Sequence, residues 1–320
     1  MRHFSAAVVG LGQIGQGYDY QVADKSLTLT HAAGFAAHPG FSLSAGIDPD
    51  PRQGQRFSAK YGVKAYATIG ALLAEQRPEV FSLAAPTPLH HGMFLELIEA
   101  RPLAILCEKP IAANVAEGRE MVERAEQAGC ALLVNYMRRF EPGVRHLKEA
   151  IEYGQFGKIY KGTVWYSKGF LNNASHFIDL LQYFFGSMTD FKVISPGRRW
   201  NGIDPEPDVL VQFGDAEVVF LAGREECFSQ AEMTLIGTKG RVLYACGGGH
   251  IECQYAQADP TFPGYLSLGH PEPITNDLSH YQSHVVDALY QGLVNGSPLA
   301  SDGKSALGTL LTVERIISSQ

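Results

Sequence analysis

The chain has 320 residues, with 26 Lys plus Arg against 33 Asp plus Glu and a formal net charge of −7. That length suggests about two domains, the 45% apolar fraction supplies a sizeable core, and 18% charge is too little for a disordered chain. The acidic balance excludes a protein that tracks nucleic-acid phosphates, and no window approaches the about 18 apolar residues of a transmembrane helix.

Residues 1–137 alternate short apolar runs with amphipathic stretches. The runs Phe4–Val9, Phe41–Ile47, Val80–Ala85, Leu103–Cys107 and Cys130–Asn135 carry few charges, as parallel strands covered on both faces do. Helical patterns lie between them, such as Leu89–Ala100 and Val115–Ala128, the latter with Val115, Met121, Val122 and Ala125 on one side. Such alternation predicts a doubly wound parallel sheet. Beyond residue 155 the runs Lys158–Ser167, Val209–Ala222, Met233–Ile236 and Arg241–Ala245 read as extended, and two helices, His280–Leu293 and Ser305–Ile317, close the chain. The fold class is therefore α/β: a Rossmann domain over 1–137, then an α+β domain over 138–320 with a largely antiparallel, open-faced sheet. The C-terminal helix is free to pack back on the first domain. Pro205-Glu206-Pro207 and Pro271-Glu272-Pro273 read as rigid loops.

Gly10-Leu11-Gly12-Gln13-Ile14-Gly15 follows the first strand directly. Gly10 permits a tight turn, Gly12 lets the backbone approach a pyrophosphate, Gly15 allows close helix–strand packing, and Gln13 and Ile14 open the helix. Asp48 ends the second strand, where a carboxylate accepts ribose hydroxyls and repels a 2′-phosphate, so NAD is expected rather than NADP. Asp48 lies 33 residues after Gly15, where about 20 is usual. The excess is assigned to Gly17–Thr30, read as a loop over the cofactor cleft. Arg52 offers the competing choice of pairing with the phosphate of NADP.

Three further segments give the chain a resemblance to the Gfo/Idh/MocA family of nicotinamide-dependent oxidoreductases. Pro86-Thr87-Pro88-Leu89-His90 resembles the family's loop after the fourth strand, and Cys107-Glu108-Lys109-Pro110 its Glu-Lys-Pro signature. Leu171-Asn172-Asn173-Ala174-Ser175-His176-Phe177-Ile178-Asp179 is similar to the segment carrying its catalytic histidine. Asn135-Tyr136 with Arg139-Phe140, and the helix from Tyr281 to Gly292, also fit. The resemblance implies cofactor contacts from Pro86, Thr87, His90, Glu108 and Lys109, a cis Lys109–Pro110 bond, and a homodimer or homotetramer assembled through the open sheet.

The chemistry follows from the residues. Oxidising a carbinol by hydride transfer needs a base for the hydroxyl proton and a cation for the developing alkoxide. Lys109, at the carboxyl end of a parallel strand, suits the cation, and His176, titrating near neutrality, suits the base. Asp179 sits one turn beyond His176 on the same helix face. Where many family members carry an aspartate four residues before this histidine, the chain has Asn172, which can orient a hydroxyl but cannot stabilise an imidazolium by charge. Some members acting on sugar nucleotides also lack that aspartate. Tyr136, Arg139, Tyr166 and Lys168 are candidates for the substrate wall, the last two on one face of a strand. His31 reads as a helix-start residue.

The expected function is an NAD-dependent oxidoreductase of a sugar, cyclitol or nucleotide-linked sugar. The competing reading is a non-catalytic dinucleotide-binding sensor on the same fold, which retention of Lys109 and His176 disfavours. Carbonyl or imine reduction would use the same residues in reverse. Cys246, His250 and Cys253 supply three soft ligands without a fourth, so no metal is expected. Five cysteines without a Cys-x-x-Cys pair, and an N-terminal apolar run too short for a signal peptide, place the protein in the cytoplasm.

Overall fold

A computed structural model describes residues 2–20, 22 and 27–319. In chain order its elements are β1 (Phe4–Val9), α1 (His31–Ala37), β2 (Phe41–Ile47), α2 (Pro51–Tyr61), β3 (Lys64–Tyr66), α3 (Ile69–Glu75), β4 (Val80–Leu83), α4 (His90–Ile98), β5 (Ala104–Cys107), α5 (Val115–Ala128) and β6 (Ala131–Val134). There follow α6 (Pro142–Glu152), β7 (Ile159–Tyr166), α7 (Ser175–Phe185), β8 (Asp190–Trp200), β9 (Asp204–Phe213), β10 (Ala216–Ala222), β11 (Ala231–Gly237) and β12 (Gly240–Ala245). The chain ends with β13 (His250–Ala258), β14 (Leu266–Leu268), β15 (Glu272–Pro273), α8 (Tyr281–Asn295) and α9 (Gly303–Ser318). Among the described residues no helix is long and apolar enough to cross a membrane.

Two compact units divide the chain: Met1–Phe140 with Ser279–Leu310, and Glu141–Leu278 with Leu311–Gln320. The division falls at 140/141, and residues 279–310, which the sequence reading places in the second domain, group with the first.

In the first unit β3-β2-β1-β4-β5-β6 form a parallel sheet. Its strands β4 and β5 are buried throughout, which accounts for their unbroken apolar runs. One register row, Tyr66, Ile47, Val9, Leu83, Cys107 and Val134, ends the strands together. Gly10, Asp48, Ala84, Glu108 and Asn135 therefore all leave the sheet at one carboxyl edge, with the change of winding direction between β1 and β4. The helices are set locally. Thr30, Asp50, Thr68 and Asn114 accept amide hydrogens at the N-termini of α1, α2, α3 and α5, each such cap contributing about 1 kcal/mol. Gly62 and Gly129 end α2 and α5 in the left-handed conformation.

The helix expected directly after the glycine loop is only a five-residue π-turn, Gln13–Gly17, and α1 begins at His31. Gly15 and Gly17 deprive this segment of helical preference. Asp19 clasps the two ends of the intervening loop by accepting hydrogen bonds from Thr30 Oγ1 (2.8 Å) and the Leu29 amide (3.2 Å). The expected loop over the cleft, 17–30, lies partly outside the described residues.

The second unit holds a sheet of order β14-β13-β12-β11-β7-β10-β9-β8, with β15 on β13. All its pairs are antiparallel except β7 with β10. Buried and partly exposed residues alternate along β10 and β12, leaving one face open. The other face packs with α7 through Phe177, Ile178, Leu180 and Leu181, all buried. The extended run 209–222 is a hairpin, β9 and β10. Pro205-Glu206-Pro207 is not a loop but the start of β9, paired with Arg198 and Arg199 of β8. Proline is tolerated there because β10 pairs only from Val209 onward, leaving that side of β9 without a ladder partner. Pro273 likewise lies in the two-residue β15.

Candidate active site

The first unit builds a dinucleotide cradle. Gly10 turns at φ +90°, and a Cβ there would meet the Ala84 backbone at 2.7 Å. A Cβ at Gly15 would stand 2.0 Å from the Gly10 carbonyl oxygen, whereas at Gly12 it would meet nothing within 4 Å. Two of the three glycines are thus required by the fold itself, whereas nothing among the described residues around the exposed Gly12 requires a glycine there. Asp48 faces the same loop. Its Oδ2 accepts the Leu11 amide (2.8 Å) and its Oδ1 the Asp50 amide (2.9 Å). An ionised carboxylate offers about four acceptor positions, so two amides leave capacity for ribose hydroxyls. These residues fit a nicotinamide dinucleotide.

Arg52 does not face that loop. Its guanidinium forks onto Asp50 (Nη2 to Oδ2, 2.9 Å) and is 85% exposed. One turn later Arg56 lies over the Tyr20 ring at 4.2 Å. It lines a cavity of about 680 Å³ with Gly12, Gln13, Gly17 and Gln53. The cation beside the glycine loop is therefore Arg56, which the sequence reading missed; a period of four along α2 was the available signal.

Pro86 and Thr87 follow β4, exposed and half-buried. His90 is fully buried, with Nδ1 3.0 Å from the Pro110 carbonyl oxygen and Nε2 2.8 Å from that of Ala85. Both ring nitrogens meet backbone, so His90 ties the β4 loop to the β5 loop rather than facing a cofactor. The Lys109–Pro110 peptide is cis. Lys109 is half-buried at the end of β5. Beside it Glu108 Oε1 meets His31 Nε2 (2.8 Å) and Asn135 Nδ2 (2.6 Å), and its Oε2 accepts the Lys109 amide (3.2 Å). Burial pushes the Glu108 carboxyl up, but His31, Asn135 and Lys109 outweigh it and hold it below its ordinary value. Burial raises the neighbouring Cys107 thiol well above its usual range, which keeps it an inert core group. Tyr136 and Arg139 are buried, and Arg139 Nη1 donates to the Ala300 carbonyl (2.9 Å), so that arginine secures the segment before α9.

The second unit carries Asn172, His176 and Asp179. After β7 the chain passes Lys168 and Gly169 at φ +67° and +85° into a π-turn, Phe170–Ala174, that runs straight into α7. Two carboxylates of β9 fix this entry. Asp204 accepts the amides of Leu171 (3.0 Å) and Asn172 (2.9 Å), and Glu206 that of Gly169 (3.1 Å). A Cβ at Gly169 would fall 2.0 Å from the Asp204 carboxylate. Asn172 Nδ2 donates to the Lys168 carbonyl (3.0 Å). His176 and Asp179 are buried in α7. Tyr166 is a core residue: it is fully buried, and its hydroxyl donates to the Pro207 carbonyl at 2.7 Å. Lys168 lies past the end of β7, with Nζ 3.6 Å from Glu225, so the two do not share a strand face. The sequence reading did not identify Asp204, Glu206, Ser82 or Gln282.

Residues 4–136 match the profile of an oxidoreductase family with an NAD-binding Rossmann fold. The chain is 30% identical over 182 residues to trans-1,2-dihydrobenzene-1,2-diol dehydrogenase of Mus musculus, covering 51% of this chain and 54% of that one. It is also 30% identical over 158 residues to D-glucoside 3-dehydrogenase of Escherichia coli K12, covering 49% and 41%. In these matches the chain spans about half the length of the curated relatives or less. Among solved structures it resembles the WlbA dehydrogenase of Bordetella pertussis in complex with NADH and UDP-GlcNAcA, with a TM-score of 0.76 at 21% identity, covering 100% of this chain and 97% of that one.

Proposed function

We propose that the chain, whose residues 4–136 match the Gfo/Idh/MocA oxidoreductase model, is a member of that family and moves a hydride between a nicotinamide dinucleotide and the hydroxyl or carbonyl carbon of a sugar, cyclitol or nucleotide-linked sugar. The bound nicotinamide supplies the hydride acceptor or donor. Lys109 holds the carbinol oxygen and stabilises the charge that develops on it as the proton leaves. His176 takes that proton, and Asn172 orients the hydroxyl. NAD is favoured over NADP because Asp48 sets a carboxylate against the loop that receives the ribose.

The observation that carries this reading is the shared strand edge in the first unit. The open Gly12 loop, Asp48 and the Glu108–Lys109 pair leave β1, β2 and β5 at one carboxyl edge of the sheet, where open α/β sheets bind ligands. The sugar class is supported by the D-glucoside dehydrogenase of E. coli and by the UDP-sugar in the Bordetella complex. The test is absorbance detection of NADH formation from purified protein, NAD and a panel of free sugars, cyclitols and UDP-sugars. Turnover of at least one class is expected; binding of NADH with no turnover across the panel would favour the sensor.

Asn172→Asp offers a sharper probe. Asn172 stands four residues before His176, so a carboxylate there would favour the imidazolium and raise the histidine pKa. A base must be deprotonated to act, so the acidic limb of kcat/KM moves to higher pH. An unchanged limb would remove Asn172 from the proton path.

A further inference from the structure

We infer that His31 is a positioning residue for Lys109: from the first turn of α1 it clamps the Glu108 carboxylate and, through it, the backbone that presents the lysine. The inference rests on the reading of Lys109 given above.

His31 is fully buried. Its Nδ1 lies 2.7 Å from Ser82 Oγ and 3.2 Å from Gln282 Nε2. Gln282 Nε2 can only donate, so Nδ1 accepts, and the ring proton sits on Nε2, 2.8 Å from Glu108 Oε1; Asn135 Nδ2, 3.4 Å from Nε2, spends its two hydrogens on the shorter contacts to Glu108 Oε1 and Gln282 Oε1. The orientation of Gln282 is fixed in turn, because its Oε1 accepts from Asn135 Nδ2 at 3.2 Å and a flip would set two NH₂ groups against each other. His31 of α1 and Asn135 after β6 thus hold the carboxylate directly, and Ser82 of β4 and Gln282 of α8 hold those two side chains in turn. A carboxylate left only 12% exposed is costly unless well bonded, and an apolar cluster would pack these segments without that cost. What the charged arrangement adds is direction: Oε1 is held by two donors, and Oε2 then meets the Lys109 amide at 3.2 Å. Without His31, Oε1 keeps only Asn135, and the carboxylate is released to rotate. A displacement of about 1 Å at a reacting group costs about 10²-fold.

Two variants and one spectrum test this. His31→Leu removes donor and acceptor, whereas His31→Gln returns a donor near the Nε2 position. His31→Leu is expected to lower kcat by about 10- to 100-fold while KM and the NADH Kd move by no more than about threefold, and His31→Gln to recover most of the loss. Parental kcat in His31→Leu, equal impairment of both variants, or lost NADH binding would each overturn the inference, the latter two by showing a packing role alone. Nitrogen-15 spectra of labelled histidine in the parent protein need neither turnover nor a variant that folds. They are expected to show the His31 proton on Nε2 and none on Nδ1; the opposite tautomer breaks the clamp. Absence of turnover in the parent protein would instead refute the oxidoreductase reading and leave the spectrum to decide the clamp.

Discussion

Lys109→Ala is expected to lower kcat by about 10³-fold or more, close to 4 kcal/mol of transition-state stabilisation. NADH binding should persist within about tenfold, because the cradle of Gly10, Gly12 and Asp48 is built on other strands. The size follows from the role. Oxidising a carbinol leaves negative charge on an oxygen, and a cation placed beforehand stabilises that charge without reorganising during the reaction. The lysine is well supported for this: it follows a fully buried strand, its amide is held by Glu108, and His90 ties the Pro110 carbonyl to the β4 loop. The expected split distinguishes chemistry from collapse. Retained turnover in Lys109→Ala would sink the catalytic assignment, and loss of both turnover and NADH binding would mean a structural residue.

The second large effect separates two glycines three residues apart. Gly15→Ala places a Cβ 2.0 Å from the Gly10 carbonyl oxygen, a backbone atom that cannot turn aside. The strand–turn junction must shift, at a cost of about 3 kcal/mol, which for a chain of this size lowers Tm by about 5–10 °C. Gly12→Ala meets nothing within 4 Å. Its Tm should stay within about 1–2 °C of the parent, while the NADH Kd weakens by at least about tenfold, because the new methyl group stands where the pyrophosphate meets the backbone. Thermal melts and calorimetry on the two variants give opposite patterns if the cradle binds a dinucleotide. A Gly12→Ala protein that binds NADH like the parent would place the cofactor elsewhere.

What the sequence disclosed, and what it withheld, tracks how far apart the interacting residues lie in the chain. The strands of the first sheet are buried on both faces, so each is an apolar run visible by itself, and β1, β2 and α5 have the bounds the pattern gives. The glycine loop and Asp48 are legible because their chemistry is local to a turn and a strand end. The longest strand, β8, was missed because it is an edge strand with mostly exposed positions, among them the charged Asp190, Lys192, Arg198 and Arg199, and is interrupted by Pro196 and Gly197. His31 reads only as a helix-start residue, because its partners Ser82, Glu108 and Gln282 lie 51, 77 and 251 positions away. Asp204 and Glu206 were hidden in the same way, more than 30 positions from the turn they hold. Tyr166 and Arg139 misled in the opposite sense: polar side chains near a presumed site suggest ligands, and burial against the Pro207 and Ala300 carbonyls gives each a structural partner instead.

The most direct measurement is a calorimetric titration of the purified protein with NADH and NADPH in parallel. With Asp48 beside the glycine loop and Arg52 held by Asp50, NADH should bind at least about tenfold more tightly than NADPH. Preference for NADPH would mean that Arg56 outweighs Asp48, and binding of neither would contradict the dinucleotide cradle and the oxidoreductase function built on it.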